Sequence, residues 1–227
     1  MRVLVTGAGR GLGLEMARQW AAAGDRVFAA ARQPGPALMA LAEAHPGQLT
    51  IVELDVTDDD SIARAAASVA GASDALDVVV NNAAVNPKGA SLGSYRRDEV
   101  AAVFGANTIG PLLMGQAMLP LLLRGERPRL VNISTQVGSF TWNTGGKSPL
   151  YAASKAALNM FTRSMAREAV GVVVIAVHPG WVQTDMGGAS APLSPSTSVK
   201  DLRALIDRLQ PSDTGQFFNH DGQHHPW

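Results

Sequence analysis

Short, mostly apolar runs alternate along the chain with longer segments whose apolar residues recur at helical spacing. The runs at 3–6, 27–31, 49–54, 78–80, 130–133 and 172–177 lack the in-and-out alternation of a half-exposed strand. They read as parallel strands covered on both faces. The segment 12–23 places apolar residues at 12, 16 and 20, one face of a helix. Gly24-Asp25 then marks a turn. Helical character also extends over 36–44, 58–70, 97–124 and 150–169. Strands alternating with helices predict an α/β fold, a doubly wound parallel sheet with helices on both faces. Three long irregular stretches, 82–95, 135–149 and 179–198, each follow a predicted strand. Loops at the carboxyl ends of parallel strands line the ligand crevice of such a sheet, so a site is expected there.

A chain of 227 residues suits one domain, 1–227, with a continuous core. Lysine plus arginine equals aspartate plus glutamate at 19 each, which gives no electrostatic case for nucleic acid or an anionic membrane as partner. The longest apolar stretch, 111–123, is too short to span a bilayer. With no cysteine, thiolate chemistry and disulfides are excluded, and a reducing compartment is favoured. The chain meets a glycine loop at once with no signal peptide in view, so a cytoplasmic location is expected.

The first strand–helix junction reads Thr6-Gly7-Ala8-Gly9-Arg10-Gly11-Leu12-Gly13. Glycines at such a junction allow a tight turn, close approach of a pyrophosphate and close helix packing, while the helix start offers free N–H groups to phosphate. The second strand ends at Arg32, where an NAD site usually carries a carboxylate for the ribose hydroxyl. A guanidinium there, joined by Arg10, suits the 2′-phosphate of NADP(H). The alternatives are two solvated arginines, or an NAD-linked alcohol oxidiser.

Tyr151-Ala152-Ala153-Ser154-Lys155 sets a phenol and an ammonium four residues apart, on one helix face. The ammonium is expected to lower the phenol's pKa and make Tyr151 a usable general acid or base. Asn107 lies four residues before Pro111, which has no N–H to give its carbonyl. A freed carbonyl and a kink at Gly110-Pro111 follow, with an ordinary proline kink filled by solvent as the other reading. His220, His224 and His225 suggest a metal, but no cysteine accompanies them and no metal is expected.

The glycine spacing TGxxxGxG, the Asn81-Asn82-Ala83-Ala84 run, the segment Asn132-Ile133-Ser134-Thr135-Gln136-Val137-Gly138, the Tyr151/Lys155 pair and His178-Pro179-Gly180 occur in one order. Together they resemble the short-chain dehydrogenase/reductase family along the whole chain. Two features, the long loop before Tyr151 and the tail ending GQFFNHDGQHHPW, look like its C-factor and sniffer carbonyl-reductase branch. The resemblance implies a seven-stranded sheet in the order 3-2-1-4-5-6-7, its last strand near 215–218. It implies a cofactor site built from Gly7, Arg10, Gly11, Leu12, Gly13, Arg32, Asp55 and Val56 at the adenosine end. Asn82, Ala83 and Ala84 would lie along the ribose, Ala84 standing where the family usually has glycine. Pro179, Gly180, Val182 and Thr184 would pass the nicotinamide, and 186–198 could form a lid.

The catalytic hydroxyl three residues before the motif's glycine is implied to be Thr135, with Ser134 the alternative if the strand end is offset by one. Residues one apart on a strand face opposite ways, so only one can serve. Asn107 is implied to hold a water in a proton relay to Lys155. The implied activity is NADPH-dependent interconversion of a small-molecule carbonyl and its alcohol by a homodimer or tetramer. The rival is a signalling or sensor protein that binds NADP(H) with little turnover.

Overall fold

The computed structural model describes residues 1–87 and 92–227, so the part of the expected 82–95 loop at 88–91 lies outside the described residues. The strands are β1 (Arg2–Thr6), β2 (Arg26–Ala31), β3 (Leu49–Glu53), β4 (Val78–Asn81), β5 (Arg129–Ile133), β6 (Val173–His178) and β7 (Phe217–Asn219). They form one seven-stranded sheet in the order β3-β2-β1-β4-β5-β6-β7, and every neighbouring pair is parallel. The order reverses between β1 and β4, which opens a crevice at their carboxyl ends.

Alternation along each strand sends side chains into two cores. Val3, Val5, Val78, Val80, Ile175 and Val177 face one layer, where α1 (Gly11–Ala22) and α7 (Pro195–Arg208) supply Met16, Trp20, Leu202 and Ile206. Leu4, Phe28, Val79 and Val174 face the other, against α3 (Asp59–Ala72), α5 (Gly110–Leu122) and α6 (Pro149–Glu168). The remaining helices are α2 (Pro36–Ala44) and α4 (Arg97–Phe104). Burial on both faces explains why the strand runs carry almost no polar residue.

Two sequence expectations need correction. The stretch 179–198 is not irregular throughout, because α7 begins at Pro195. Ser194 caps it, its hydroxyl accepting from the Thr197 N–H at 3.1 Å, and a proline in the first turn is harmless because its missing N–H would have no helical partner. Nor is the irregularity around Asn107 centred on Gly110-Pro111. It is a π-helical segment, Gly105–Ile109, closed by the Gly110 N–H to the Gly105 carbonyl. Wide turns of this kind appear mostly as single insertions in α-helices, often at functional sites. The combined helix Arg97–Leu122 is long and apolar enough to cross a membrane by length and composition. In the fold its Met114, Met118, Leu121 and Leu122 pack in the core under the sheet.

Candidate active site

A cleft of about 930 Å³ runs along the carboxyl ends of the central strands, from Arg32 and Asp55 at one end to Tyr151 and Lys155 at the other. At its centre the glycine loop turns through Gly7 at φ 68° and Gly11 at φ 54°. Gly13 lies directly behind, where a Cβ would come within 2.3 Å of the Gly7 carbonyl oxygen. Thr6 fixes this loop to the end of β4. Its Oγ1 accepts from the N–H groups of Asn82 (3.0 Å) and Ala83 (3.1 Å), while Asn82 Nδ2 donates to the Thr6 carbonyl at 2.9 Å. Gly7, Gly11, Ala83 and Ala84 therefore present bare backbone or a single methyl to the cleft, with Leu12 beside them. That cradle, at the start of α1, fits a dinucleotide pyrophosphate. Gly13 does not line the cleft; it lets the helix pack close behind it.

At the adenosine end, Arg32 is exposed on the cleft wall. Burial pushes the Asp55 carboxyl up, but the two hydrogen bonds from Thr57, with a smaller contribution from the charge of Arg32, leave its pKa below the usual value. Asp55 Oδ1 accepts from Thr57 N (2.9 Å) and Oγ1 (2.7 Å). The cap of α3 is Asp58, whose carboxylate accepts from Asp60 and Ser61, so Asp55 is not needed for capping. Val56 is buried beside it and also lines the cleft. Arg10 reaches over the cleft to Asp185, Nη1 to Oδ2 at 2.9 Å. Thr184 packs over Gly11, its Cγ2 3.5 Å from where a Cβ would sit. The segment after β6 thus closes over the glycine loop. Pro179 lines the cleft, Gly180 turns at φ 84°, and Val182 is buried and bridges to Leu193 rather than facing the cleft.

At the other end, Tyr151 and Lys155 share the inner face of α6. Lys155 is 1% exposed, and its Nζ donates to the Ile133 carbonyl at 2.7 Å and lies 6.0 Å from the centre of the Tyr151 ring. The sequence reading has the ammonium acidify the phenol; burial acts in the opposite direction. It pushes the Tyr151 phenol up to about 12 and the Lys155 ammonium down to about 7, because both neutral forms avoid the cost of a buried charge.

The two adjacent hydroxyls part company as strand geometry requires. Ser134 is buried, and its hydroxyl donates to Asn159 Oδ1 at 2.6 Å, although its residue also borders the cleft. Thr135 is half-buried and extended, and its Oγ1 accepts from the Val137 N–H at 3.4 Å. The glycine three residues on, Gly138, has a packing reason. A Cβ there would sit 3.0 Å from Lys155 Cβ, so glycine lets the Thr135 turn lie against α6.

Asn107 is fully buried in the π segment. It holds the chain after β4 by paired bonds, accepting from Val85 N and donating to Val85 O, each at 2.8 Å. It also donates to Ser154 Oγ at 3.0 Å, and Ser154 donates to the Tyr151 carbonyl at 2.7 Å. Sequence reasoning misses Ser154, Asn159 and Thr6. The Tyr151-to-Lys155 run contains Ser154, but nothing in the sequence shows that it bonds inward. Among the described residues no group of three histidines or carboxylates is placed to hold a metal. His220 pairs with Asp201 at 3.0 Å, and His224 lies against Phe218.

Comparisons with known proteins agree with this geometry. A family model described as short chain dehydrogenase matches residues 1–192. The C-signal protein of Myxococcus xanthus is 42% identical over 154 residues, covering 67% of this chain and 93% of that protein. A 1-hydroxy-2-glutathionyl-2-methyl-3-butene dehydrogenase of Rhodococcus is 33% identical over 99% of both chains. Among solved structures, carbonyl reductase Sniffer of D. melanogaster superposes with a TM-score of 0.94 at 32% identity, covering 100% of this chain and 99% of that one. An NADPH-bound carbonyl reductase from chicken fatty liver gives 0.91 at 36% identity, covering 100% and 98%.

Proposed function

This chain belongs to the short-chain dehydrogenase family, and from that premise we propose that it is an NADPH-dependent enzyme reducing a carbonyl to an alcohol, with Tyr151 as the proton donor. One observation carries the reading: a glycine cradle lies between Arg32 at one end of a single cleft and half-buried Tyr151 with buried Lys155 at the other. The likeness to carbonyl reductases, one of them NADPH-bound, supports the choice of cofactor and reaction.

Arg32 and Arg10 would hold the 2′-phosphate, and the start of α1 the pyrophosphate. A reduced nicotinamide held beyond them, beside Pro179 and Tyr151, would be the source of the hydride for the carbonyl carbon. The chain's own residues handle the oxygen and its proton. Thr135 Oγ1 accepts from Val137, which leaves its own proton free for the substrate oxygen, whereas Ser134 has committed its proton to Asn159. Tyr151, at about 12, stays protonated at neutral pH and is in the form an acid needs. Lys155, at about 7, exchanges protons in the neutral range and can replenish the phenol. Asn107 holds Val85 and Ser154, and its carbonyl lacks an α-helical donor because that position is Pro111.

We also infer that copies pair through α6 and the π segment, where Met160, Phe161 and Ile109 are exposed apolar groups. Light scattering would give a dimer or tetramer, and a monomer at micromolar concentration contradicts this.

The functional test is a carbonyl panel followed by loss of reduced-nicotinamide absorbance, with NADPH and NADH compared. Turnover with NADPH in preference is expected. NADPH binding without turnover of any carbonyl would leave only a binding protein, and no binding of either cofactor would overturn the reading.

A further inference from the structure

The histidine-rich segment at 223–227 has no part in the chemistry above, yet it joins three separate elements of the fold. It turns back along β7, with the Asn219 N–H donating to the Gln223 carbonyl at 2.8 Å and the His225 N–H to the Phe217 carbonyl at 2.7 Å. From that strand edge it reaches the loop at 139–148. The Trp227 main-chain oxygen accepts from both Thr141 N (3.4 Å) and Thr141 Oγ1 (3.2 Å). The His225 ring is 4.5 Å from Phe217 and 5.8 Å from Trp142, between centroids. The Trp227 ring lies 5.4 Å from Phe217, and the Arg163 guanidinium stands 5.7 Å from its centre.

Three walls meet in these contacts: β7, the 139–148 loop and α6. The loop joins the Thr135 turn to α6, so it is bounded by both proposed catalytic hydroxyls. It has its own internal frame, in which Asn143 Oδ1 accepts from Lys147 N at 3.0 Å and Nδ2 donates to the Val137 carbonyl at 2.8 Å. Ser148, left-handed at φ 49°, turns it into α6. Trp142 is half exposed on this loop, and its only recorded ring neighbour among the described residues is His225.

We propose that residues 225–227 clamp the 139–148 loop, which carries the chain from Thr135 to Tyr151 at the substrate end of the cleft, with Trp227 and His225 as positioning residues for the carbonyl substrate. This rests on the carbonyl-reductase reading above. Among the described residues these contacts do not include the glycine cradle; the His225 ring also stands 6.1 Å from His178, whereas the Trp227 ring meets only Phe217 and Arg163, so Trp227 is the position that isolates the effect on substrate. Aromatic pairs and a guanidinium over an indole are attractive but individually weak, and several together bias a short loop toward one position.

The test uses full-length Trp227→Ala and Trp227→Phe. In Trp227→Ala the KM for the carbonyl should rise about tenfold, with kcat changed much less and NADPH affinity unchanged. Trp227→Phe keeps a ring for Phe217 and Arg163 and should restore most of the loss. Trypsin, cutting after exposed Lys147, should nick Trp227→Ala about tenfold faster than the unmodified protein. An equal fall in NADPH affinity, or an unchanged KM, would overturn the proposal. The proteolysis needs no turnover, so it separates the two readings: unchanged cleavage at Lys147 overturns the clamp whatever the kinetics show.

Discussion

Ser134 donates its hydroxyl proton to Asn159 Oδ1 at 2.6 Å, inside the interface between the end of β5 and α6, although the residue borders the cleft. This bond separates two adjacent hydroxyls into different duties. Ser134→Ala leaves a buried amide oxygen without its donor and should cost about 1–3 kcal/mol of stability while turnover persists. Thr135→Val keeps shape but removes the free hydroxyl, and should lower kcat about 100-fold or more at unchanged melting temperature. Steady-state kinetics beside thermal melts of the two variants check this. A reversed pattern would make Ser134 the catalytic hydroxyl.

Gly13 is the position in the cradle least able to change. Alanine in a helix interior gains roughly 1 kcal/mol over glycine by propensity. Here the added carbon would stand 2.3 Å from a backbone oxygen and 2.6 Å from Asn82 Nδ2. The clash outweighs the gain, so Gly13→Ala should lose about 3 kcal/mol or more and bind NADPH poorly. Gly9→Ala, whose new atom would find its nearest neighbour at 3.6 Å, is the tolerant control. Denaturant melts and cofactor titration read both.

Arg32 and Arg10 divide the work at the phosphate end. Among the described residues Arg32 has no close ion pair and faces the cleft beside Asp55, whereas Arg10 is shared with Asp185 at 2.9 Å. Arg32→Ala should weaken NADPH about 10- to 100-fold and leave NADH nearly untouched, as expected for loss of a charge-assisted contact to phosphate. Asp185→Asn frees Arg10 and should tighten NADPH a few-fold at low salt, an exposed pair being weak. Calorimetric titration with each cofactor measures these differences.

His178, at the end of β6, sets an acid limit to stability. Its ring is buried against His225 with Nδ1 unpartnered. Burial, reinforced by the charges of His225 and His220, brings its pKa down to about 4 from 6.5. The unfolded chain takes up a proton below pH 6.5 that the folded one refuses until about 4. Stability from this residue is therefore complete above that window and declines as the pH falls through it, by up to about 3 kcal/mol. Urea melts between pH 7 and 4.5 should show the decline, and His178→Asn should flatten it.

Much of this fold was legible in the chain. Strands covered on both faces are written as largely apolar runs, so the runs at 27–31, 78–80 and 130–133, the last broken only by Asn132, lie within the observed strands. The glycine loop and the Tyr151/Lys155 pair carry their own spacing. What could not be read depends on partners distant in sequence. Ser154 and Asn159 look like ordinary polar residues of a helix until Asn107 and Ser134 are brought against them. Pro195 reads as a breaker until Ser194 is seen capping the helix it begins. The charge states of Tyr151 and Lys155 follow from depth of burial, which a spacing of four residues does not encode.

The most direct test compares NADPH affinity and carbonyl turnover in Tyr151→Phe and the unmodified protein. The substitution removes one hydroxyl from a half-buried ring at the far end of the cleft from Arg32. Loss of the proton donor should cut kcat about 1000-fold, in the range general acids supply, while the calorimetric Kd for NADPH stays within about twofold. Turnover undiminished in Tyr151→Phe would contradict the assignment of Tyr151 as the acid on which the account is built.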